Sequence, residues 1–199
     1  MAAYEEYGRR ATEYIHHFGE IDFAHPADVD LITRWAVGVD GPVLDAGCGP
    51  GQWTAHLAEL GVDIRGVDGA VEFVAHARRA HPKSRFDAAD LDALPVPEAS
   101  VAGVMAWYSL IHHKPAEIGV PLAEFARVLR PGGHVLIGFF VGECVDRFDH
   151  AVTPAYRWPV ESLAERLLMA HFEVIETYTR TGPGHRPHGA IVARLSTRH

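Results

Sequence analysis

The chain has 199 residues, the length of one domain, and its 48% apolar and 22% charged residues are the proportions of a globular protein. Its 18 Lys and Arg against 26 Asp and Glu leave a net charge of −8, which argues against a nucleic-acid partner. The two cysteines, Cys48 and Cys144, stand in no CxxC pair, which excludes a disulfide framework and fits a reduced, cytoplasmic setting.

The first ten residues, MAAYEEYGRR, hold no apolar run and so no signal peptide. Residues 1–37 read as helical. Tyr4, Tyr7, Tyr14, Ile15 and Phe18 fall at roughly helical spacing, and DVDLITRWAV follows Pro26 with Asp28 as the expected N-cap. Gly41-Pro42 breaks the run. PVLDA is the first strand, QWTAHLAEL a helix stopped by Gly61, and VDIRGVD the second strand. AVEFVAHARRAH is a helix ended by Pro82, SRFDAA the third strand, DLDALPVPEAS a loop and VAGVMAWYSL the fourth strand. A helix over AEIGVPLAEFARVLR leads through a tight Pro131-Gly132-Gly133 turn into the fifth strand, HVLIGFFV. That stretch is the most apolar in the chain and is far too short to span a bilayer, so no membrane partner is expected. Residues 143–158 read as irregular. VESLAERLLMAHF is the last helix, EVIETYTRT the sixth strand, GPGHRPHG a turn-rich loop and AIVARLS the seventh strand.

Strands alternate with helices, which predicts an α/β fold: a doubly wound, seven-stranded, mostly parallel sheet. The last two strands have only a loop between them, so the last strand is antiparallel.

The stretch VLDAGCGPGQW carries three glycines, Gly47, Gly49 and Gly51, between a strand and a helix, the context of a nucleotide site. Position 52 is Gln where a dinucleotide fingerprint has its third glycine, and no Lys-Ser or Lys-Thr follows for a phosphate loop. Asp45 opens the loop with a negative charge, which suits a ligand bearing an amino group. LDAGCGPG resembles motif I of the class I S-adenosylmethionine-dependent methyltransferases, of the small Rossmann-like, methyltransferase-11-like type. The resemblance implies that the backbone at Gly47, Cys48, Gly49 and Gly51 approaches the cofactor, with Trp53 nearby, and that Asp45 lies near its methionine amino group. Asp68, followed by Gly69, ends the second strand and sits where a ribose-binding acid belongs for this cofactor or a dinucleotide. DAADLDAL resembles the family segment in which Asp90 meets the adenine amino group and Leu91 its ring. LRPGGHVLIGF resembles the family's helix–turn–strand, a structural element.

Methyl transfer from a sulfonium is an in-line displacement that depends above all on positioning. Ligands of such sheets bind at the carboxyl ends of the strands, and the fourth strand ends in AWYSLIHH. Trp107 and Tyr108 are expected to wall cofactor and acceptor. His112, His113 and Tyr108 are the candidate catalytic groups, the histidines because imidazole titrates near neutrality. Trp-Tyr-Ser-Leu stands where family members that methylate DNA bases or protein glutamine carry Asn/Asp-Pro-Pro-aromatic, which counts against those acceptors. No third ligand at zinc spacing accompanies the histidines, so no metal is expected.

Charge is uneven: residues 1–130 hold 11 Lys and Arg against 19 Asp and Glu, and residues 131–199 hold seven of each. The back third supplies Arg147, His150, Tyr156, Arg157 and Trp158, and then Arg180, His185, Arg186 and His188. Acceptor binding is assigned to Tyr4 and Tyr14 at the N-terminus and to Arg147, Arg157 and Arg186, which would meet an anionic group on the acceptor. Solvated loop charges are the plain alternative. The chain thus reads as one domain over 1–199: a helical cap at 1–40, a cofactor-binding core at 42–142, and an acceptor-side helix and hairpin at 143–199. Its expected activity is methyl transfer from S-adenosyl-L-methionine to a small molecule, leaving S-adenosyl-L-homocysteine. A nicotinamide-dependent oxidoreductase and a non-catalytic S-adenosylmethionine-binding protein are the alternatives, and the oligomeric state stays open.

Overall fold

In the computed structural model, which describes residues 3–182 and 185–197, the chain begins with three helices: α1 (Ala3–Arg9), α2 (Ala11–Phe18) and α3 (Pro26–Val37). The cap of α3 is His25, whose ring Nδ1 accepts the Ala27 N–H at 3.2 Å ahead of Pro26. Asp28, the expected cap, instead receives the Arg180 guanidinium at 2.7 Å. With Pro26 as the first residue of the helix, Asp28 falls inside the first turn, and the residue before the proline takes the extended conformation that a cap needs.

Strand β1 (Val43–Ala46) is buried at every residue, as befits the centre of a parallel sheet covered on both faces. Helix α4 (Gln52–Glu59) leads to β2 (Ile64–Asp68), and Gly61 at φ +87° turns the chain out of the helix. Helix α5 (Val71–Ala80) leads to β3 (Arg85–Ala88), and a long loop leads to β4 (Val101–Trp107). Helix α6 (Gly119–Val128) runs without a loop into β5 (Leu129–Val141). These strands pair in the parallel order β3-β2-β1-β4-β5.

The expected tight turn at Pro131–Gly133 lies inside β5. Val101 pairs with Leu129 and Gly103 with His134, so the intervening residues form a bulge, with Gly132 at φ +78°. The stretch expected to be irregular forms two short strands, β6 (Asp146–Phe148) and β7 (Ala155–Trp158), paired antiparallel. β7 also runs parallel to the last residues of β5, matching Phe140 to Arg157 and Val141 to Trp158. Among the described residues the sheet therefore has nine strands where seven were expected. Strands of three or four residues leave too little alternation to register as a period.

Helix α7 (Val160–Met169) precedes β8 (Phe172–Gly182) and β9 (His185–Leu195), which are antiparallel to each other as expected. β9 is also antiparallel to β5 and lies between β5 and β8. The turn-rich loop expected over 182–189 is mostly strand; Pro183 and Gly184 within it lie outside the described residues.

Alternating residues of the central strands feed two packed layers. Leu44, Val104, Ala106 and Ile137 pack with Phe125 of α6 and Leu167 of α7. Val43, Met105 and Leu136 pack with Ile32 and Trp35 of α3 and Leu57 of α4. This is the doubly wound fold, and it brings the ends of β1, β2, β4 and β5 to one rim. Among the described residues, no helix is long and apolar enough to cross a membrane.

Candidate functional site

At that rim the glycine loop takes left-handed backbone at all three glycines, with φ +85° at Gly47, +53° at Gly49 and +91° at Gly51. They do different work. A Cβ on Gly47 would overlap the Ser109 side chain, and one on Gly51 would lie 2.8 Å from Ala77 and the Phe86 ring. A Cβ on Gly49 would meet nothing within 4 Å. Gly47 and Gly51 therefore let the loop pack, whereas Gly49 faces open space.

Asp68 ties this loop to the next. Its Oδ2 accepts the Gly49 N–H and its Oδ1 the Ala70 N–H, each at 2.8 Å. Burial raises its pKa, against the pull of these two N–H groups. Asp45 is only 2% exposed and accepts the Thr54 hydroxyl at 2.6 Å. Burial pushes it up to about 7 in spite of that bond. Cys48 packs against Val74, Ala77 and Phe86, and burial pushes its thiol well up, so the sulfur is a poor thiolate.

Asp45, Gly47, Cys48, Gly49 and Asp68 line one cavity of about 1510 Å³, with Trp53, Gly69, Asp90, Leu91 and Trp107; Gly51, packed against Ala77 and Phe86, does not reach it. Asp90 is exposed and accepts the Asp92 N–H at 3.0 Å in a local turn. The indoles of Trp53 and Trp107 meet edge to face at 6.3 Å. Tyr4 and Tyr14 also line the cavity from the N-terminal helices; the Tyr4 ring covers Gly69, and burial pushes the Tyr14 hydroxyl up to about 12. Three buried polar atoms on the lining have no protein partner: Gln52 Oε1, Ser109 Oγ and His113 Nδ1. Such atoms call for a ligand or water.

Beyond Trp107 the cavity lining continues with Tyr108, Phe140, His150, Arg186 and His188. Tyr108, a non-glycine at φ +58°, is held by its N–H to the Gly138 carbonyl at 3.0 Å and by a hydroxyl contact with His188 Nδ1. Burial raises the pKa of its hydroxyl. The two candidate histidines part company. His112 Nδ1 donates to the Pro154 carbonyl at 3.0 Å, so in the neutral ring Nε2 accepts the Tyr7 hydroxyl, 2.9 Å away. Burial, aided by His113, lowers the pKa of His112 and keeps the ring neutral. His113 turns the other way, with Nε2 3.2 Å from Asp92 Oδ1.

Of the arginines assigned to acceptor binding, Arg186 lines the cavity. Arg147 and Arg157 do not: both lie on the exposed β6–β7 hairpin, and Arg157 is held by Asp146 through two hydrogen bonds of 2.7 Å. Strand pairing sets their direction, which their position in a loop-like sequence did not disclose. Sequence reasoning missed Thr54 as the partner of Asp45, Phe140 as a lining residue and the Pro154 carbonyl that orients His112. A hydroxyl two positions into α4 after an acid-bearing glycine loop was a usable signal for Thr54. The Pro154 contact, across 42 positions, left none. Among the described residues no group of three His, Cys, Asp or Glu side chains is arranged to hold a metal ion.

A family model described as a methyltransferase domain matches residues 43–133. A malonyl-[acyl-carrier protein] O-methyltransferase of Erwinia billingiae is 28% identical over 154 residues, covering 77% of this chain and 59% of its own length. A probable S-adenosylmethionine-dependent methyltransferase of Mycolicibacterium smegmatis is 32% identical over 165 residues, covering 79% and 59%. The chain thus spans less than two thirds of these curated relatives. Among solved structures, a Burkholderia thailandensis 1,6-didemethyltoxoflavin-N1-methyltransferase with bound 1,6-didemethyltoxoflavin and S-adenosylhomocysteine superposes with a TM-score of 0.74. It is 26% identical, over 98% of this chain and 92% of that one.

Proposed function

Because the chain belongs to the class I S-adenosylmethionine-dependent methyltransferases, we propose that it transfers a methyl group to a small molecule bearing an anionic group. The observation that carries this reading is the single cavity of about 1510 Å³ joining the glycine loop to the chamber beyond Tyr108. Pockets for one drug-sized ligand run to roughly 1,000 Å³, so this one has room for a cofactor and an acceptor side by side.

S-adenosylmethionine, the cofactor of the family, supplies a methyl group on a sulfonium, open to in-line attack by an oxygen, nitrogen, sulfur or carbon nucleophile. Each Asp68 oxygen uses one lone pair on a backbone N–H and keeps another for a ribose hydroxyl. Gly49 leaves its open side to the ligand, Asp90 and Leu91 take the adenine, and Asp45, on the cavity lining, takes the methionine ammonium. A cationic partner favours ionised Asp45, so cofactor binding releases a proton from this group near neutral pH.

On the acceptor side, Trp107 and Tyr108 exclude water, and neutral His112 is the proton acceptor. The Tyr7 hydroxyl donates to His112 Nε2, so its oxygen is free to receive the acceptor's proton while its own passes to the imidazole. Of the three Lys and Arg residues on the cavity lining among the described residues, Lys114 pairs with Glu117 and Arg180 with Asp28. Arg186 meets the Asp149 carbonyl, at 3.3 Å, and the Phe148 ring, and with no carboxylate pair among the described residues it is the cation for the acceptor's negative group. The described part of the N-terminal cap closes over the cofactor through Tyr4 and Tyr7, and the free thiols suit a cytoplasmic protein. The similar proteins are named for malonyl-[acyl-carrier protein] and 1,6-didemethyltoxoflavin, two different acceptors, so the acceptor here is read from this chamber.

Calorimetry with S-adenosylmethionine, S-adenosylhomocysteine and NAD tests the reading. The expected result is binding of the first two at micromolar concentration and none of NAD at a hundredfold excess, on the order of 3 kcal/mol of discrimination. Binding of NAD without S-adenosylhomocysteine would overturn it in favour of an oxidoreductase.

A further inference from the structure

The chamber beyond Tyr108 is walled by rings. Phe140 stands at the centre, with centroids 4.9 Å from Tyr108, 5.6 Å from His188 and 6.1 Å from His150, and Phe148, off the cavity lining, backs it at 5.3 Å. His112 extends the wall from His150 at 5.4 Å. Most of these contacts are edge to face or tilted, so the wall is stepped, and it offers ring edges and faces to a flat guest. At one end of the wall the Arg186 guanidinium lies 4.9 Å over the Phe148 ring, beside His150.

We infer that the acceptor is an aromatic or heteroaromatic acid, its ring against Phe140 and Tyr108 and its anionic group between Arg186 and His150. This rests on the methyl-transfer reading and names the class of acceptor that the reading leaves open. The electrostatics of the corner point the same way. His150 is pushed down to about 4 by burial and by His112 from the loop after β4, Arg186 from β9 and Arg10 from the α1–α2 junction. The carboxylate nearest Arg10, Glu13, is already taken by that arginine through hydrogen bonds of 2.8–3.0 Å, and Arg10 is further held by the Ala151 carbonyl. Glu13 balances Arg10, so the corner keeps the Arg186 cation and a histidine held neutral chiefly by burial. An anion placed there reverses the balance: it pairs with Arg186 and lets His150 regain its proton. Binding of the acid is then coupled to proton uptake, and its affinity rises as pH falls from about 7.5 to 5.5, a range in which a simple carboxylate, titrating near 4, stays ionised.

The test is calorimetry on protein saturated with S-adenosylhomocysteine, with three probes: benzoate, its neutral amide benzamide, and the non-aromatic anion cyclohexanecarboxylate. Benzoate is expected to bind at least about tenfold more tightly than either. Titration at pH 6.5 in buffers of different ionisation enthalpy is expected to show uptake of a proton. Arg186→Gln, a change at an exposed side chain that leaves the fold standing, weakens benzoate about tenfold or more, and His150→Gln abolishes the proton uptake. Equal affinity for benzoate and benzamide, equal affinity for the two anions, or no proton uptake would each overturn the proposal and leave the methyl-transfer reading intact. Failure of S-adenosylhomocysteine itself to bind overturns that reading instead, before any acceptor probe is added.

Discussion

In the half of the cavity nearest β1 and β2, the groups that hold the shape are backbone groups and short acids. Gly49 and Ala70 give N–H bonds to Asp68, and Thr54 gives its hydroxyl to Asp45 nine residues earlier. In the half beyond Tyr108, the contacts join side chains from opposite ends of the chain: Tyr7 to His112 across 105 positions, Tyr108 to His188 across 80, Arg180 to Asp28 across 152. The first half is local and fixed by conformation. The second is assembled by the sheet and tuned by side-chain chemistry. A family can keep the former as a motif while the latter changes with the acceptor.

The contrast breaks most sharply at two glycines two residues apart. Gly47→Ala puts a Cβ into Ser109 at a left-handed position, and strain plus overpacking together cost about 2–5 kcal/mol. Its melting point is expected to fall by roughly 2–4 °C for each kcal/mol. Gly49→Ala carries only the left-handed penalty, about 1–2 kcal/mol, because its Cβ enters open space. It is expected to keep most of its stability and lose at least about tenfold in S-adenosylhomocysteine affinity, a pattern that calorimetry and thermal melts separate. If both variants lose stability equally, Gly49 is a packing glycine and the cofactor does not approach there.

A smaller effect with two signs is expected at Asp45. Its pKa in the folded chain, about 7, lies above the unfolded value of 3.8, so the folded state holds the proton more tightly. The contribution of Asp45 to stability is therefore full below about pH 4 and declines as pH rises through 7. Asp45→Asn keeps an acceptor for Thr54 and has no charge to bury. It is expected to melt higher than the parent at pH 8 and equally at pH 4, while binding S-adenosylhomocysteine more weakly at pH 8. A melting curve that is lower at pH 8 would show that the fold favours the Asp45 carboxylate and that its pKa is not raised.

The smallest effect on stability belongs to Tyr7→Phe. Losing the hydroxyl bond to His112 costs about 0.5–1.5 kcal/mol. That bond stabilises the neutral imidazole, so His112 is expected to titrate higher in the variant, by NMR, although burial still holds it below the ordinary histidine range. An unchanged His112 titration would mean that the Tyr7 contact is packing alone.

The sequence disclosed the two halves unequally, for physical reasons. The glycine loop, Asp68 and the alternation of strands and helices are short-range patterns, and each stands where it was expected. The family resemblance of the loop also agreed with the match over 43–133, which reaches the first residues of the 129–139 segment. Direction was the harder quantity. Arg157 and Arg186 look alike in the sequence, but pairing with Asp146 turns one outward and the register of β9 against β8 and β5 brings the other to the rim. Asp28 looked like a helix cap, but Pro26 opens the helix two residues earlier, His25 caps it, and Asp28 is left to pair with Arg180 far along the chain. The β6–β7 hairpin escaped notice because its pairing spans three residues on each side.

The place of β9 between β5 and β8 has a consequence for how the molecule is made. Of the nine strands it is the last to leave the ribosome, yet it fills an interior slot of the sheet. Until it arrives, the long edge of β5 from His134 to Phe140 is unpaired, an exposed template for pairing with other chains. Residues 43–107, which shape the glycine-loop half, are by then already synthesised and joined by local crossovers. Arg186 and His188 ride in on β9, so the chamber acquires its selective side chains in the same step that closes the sheet.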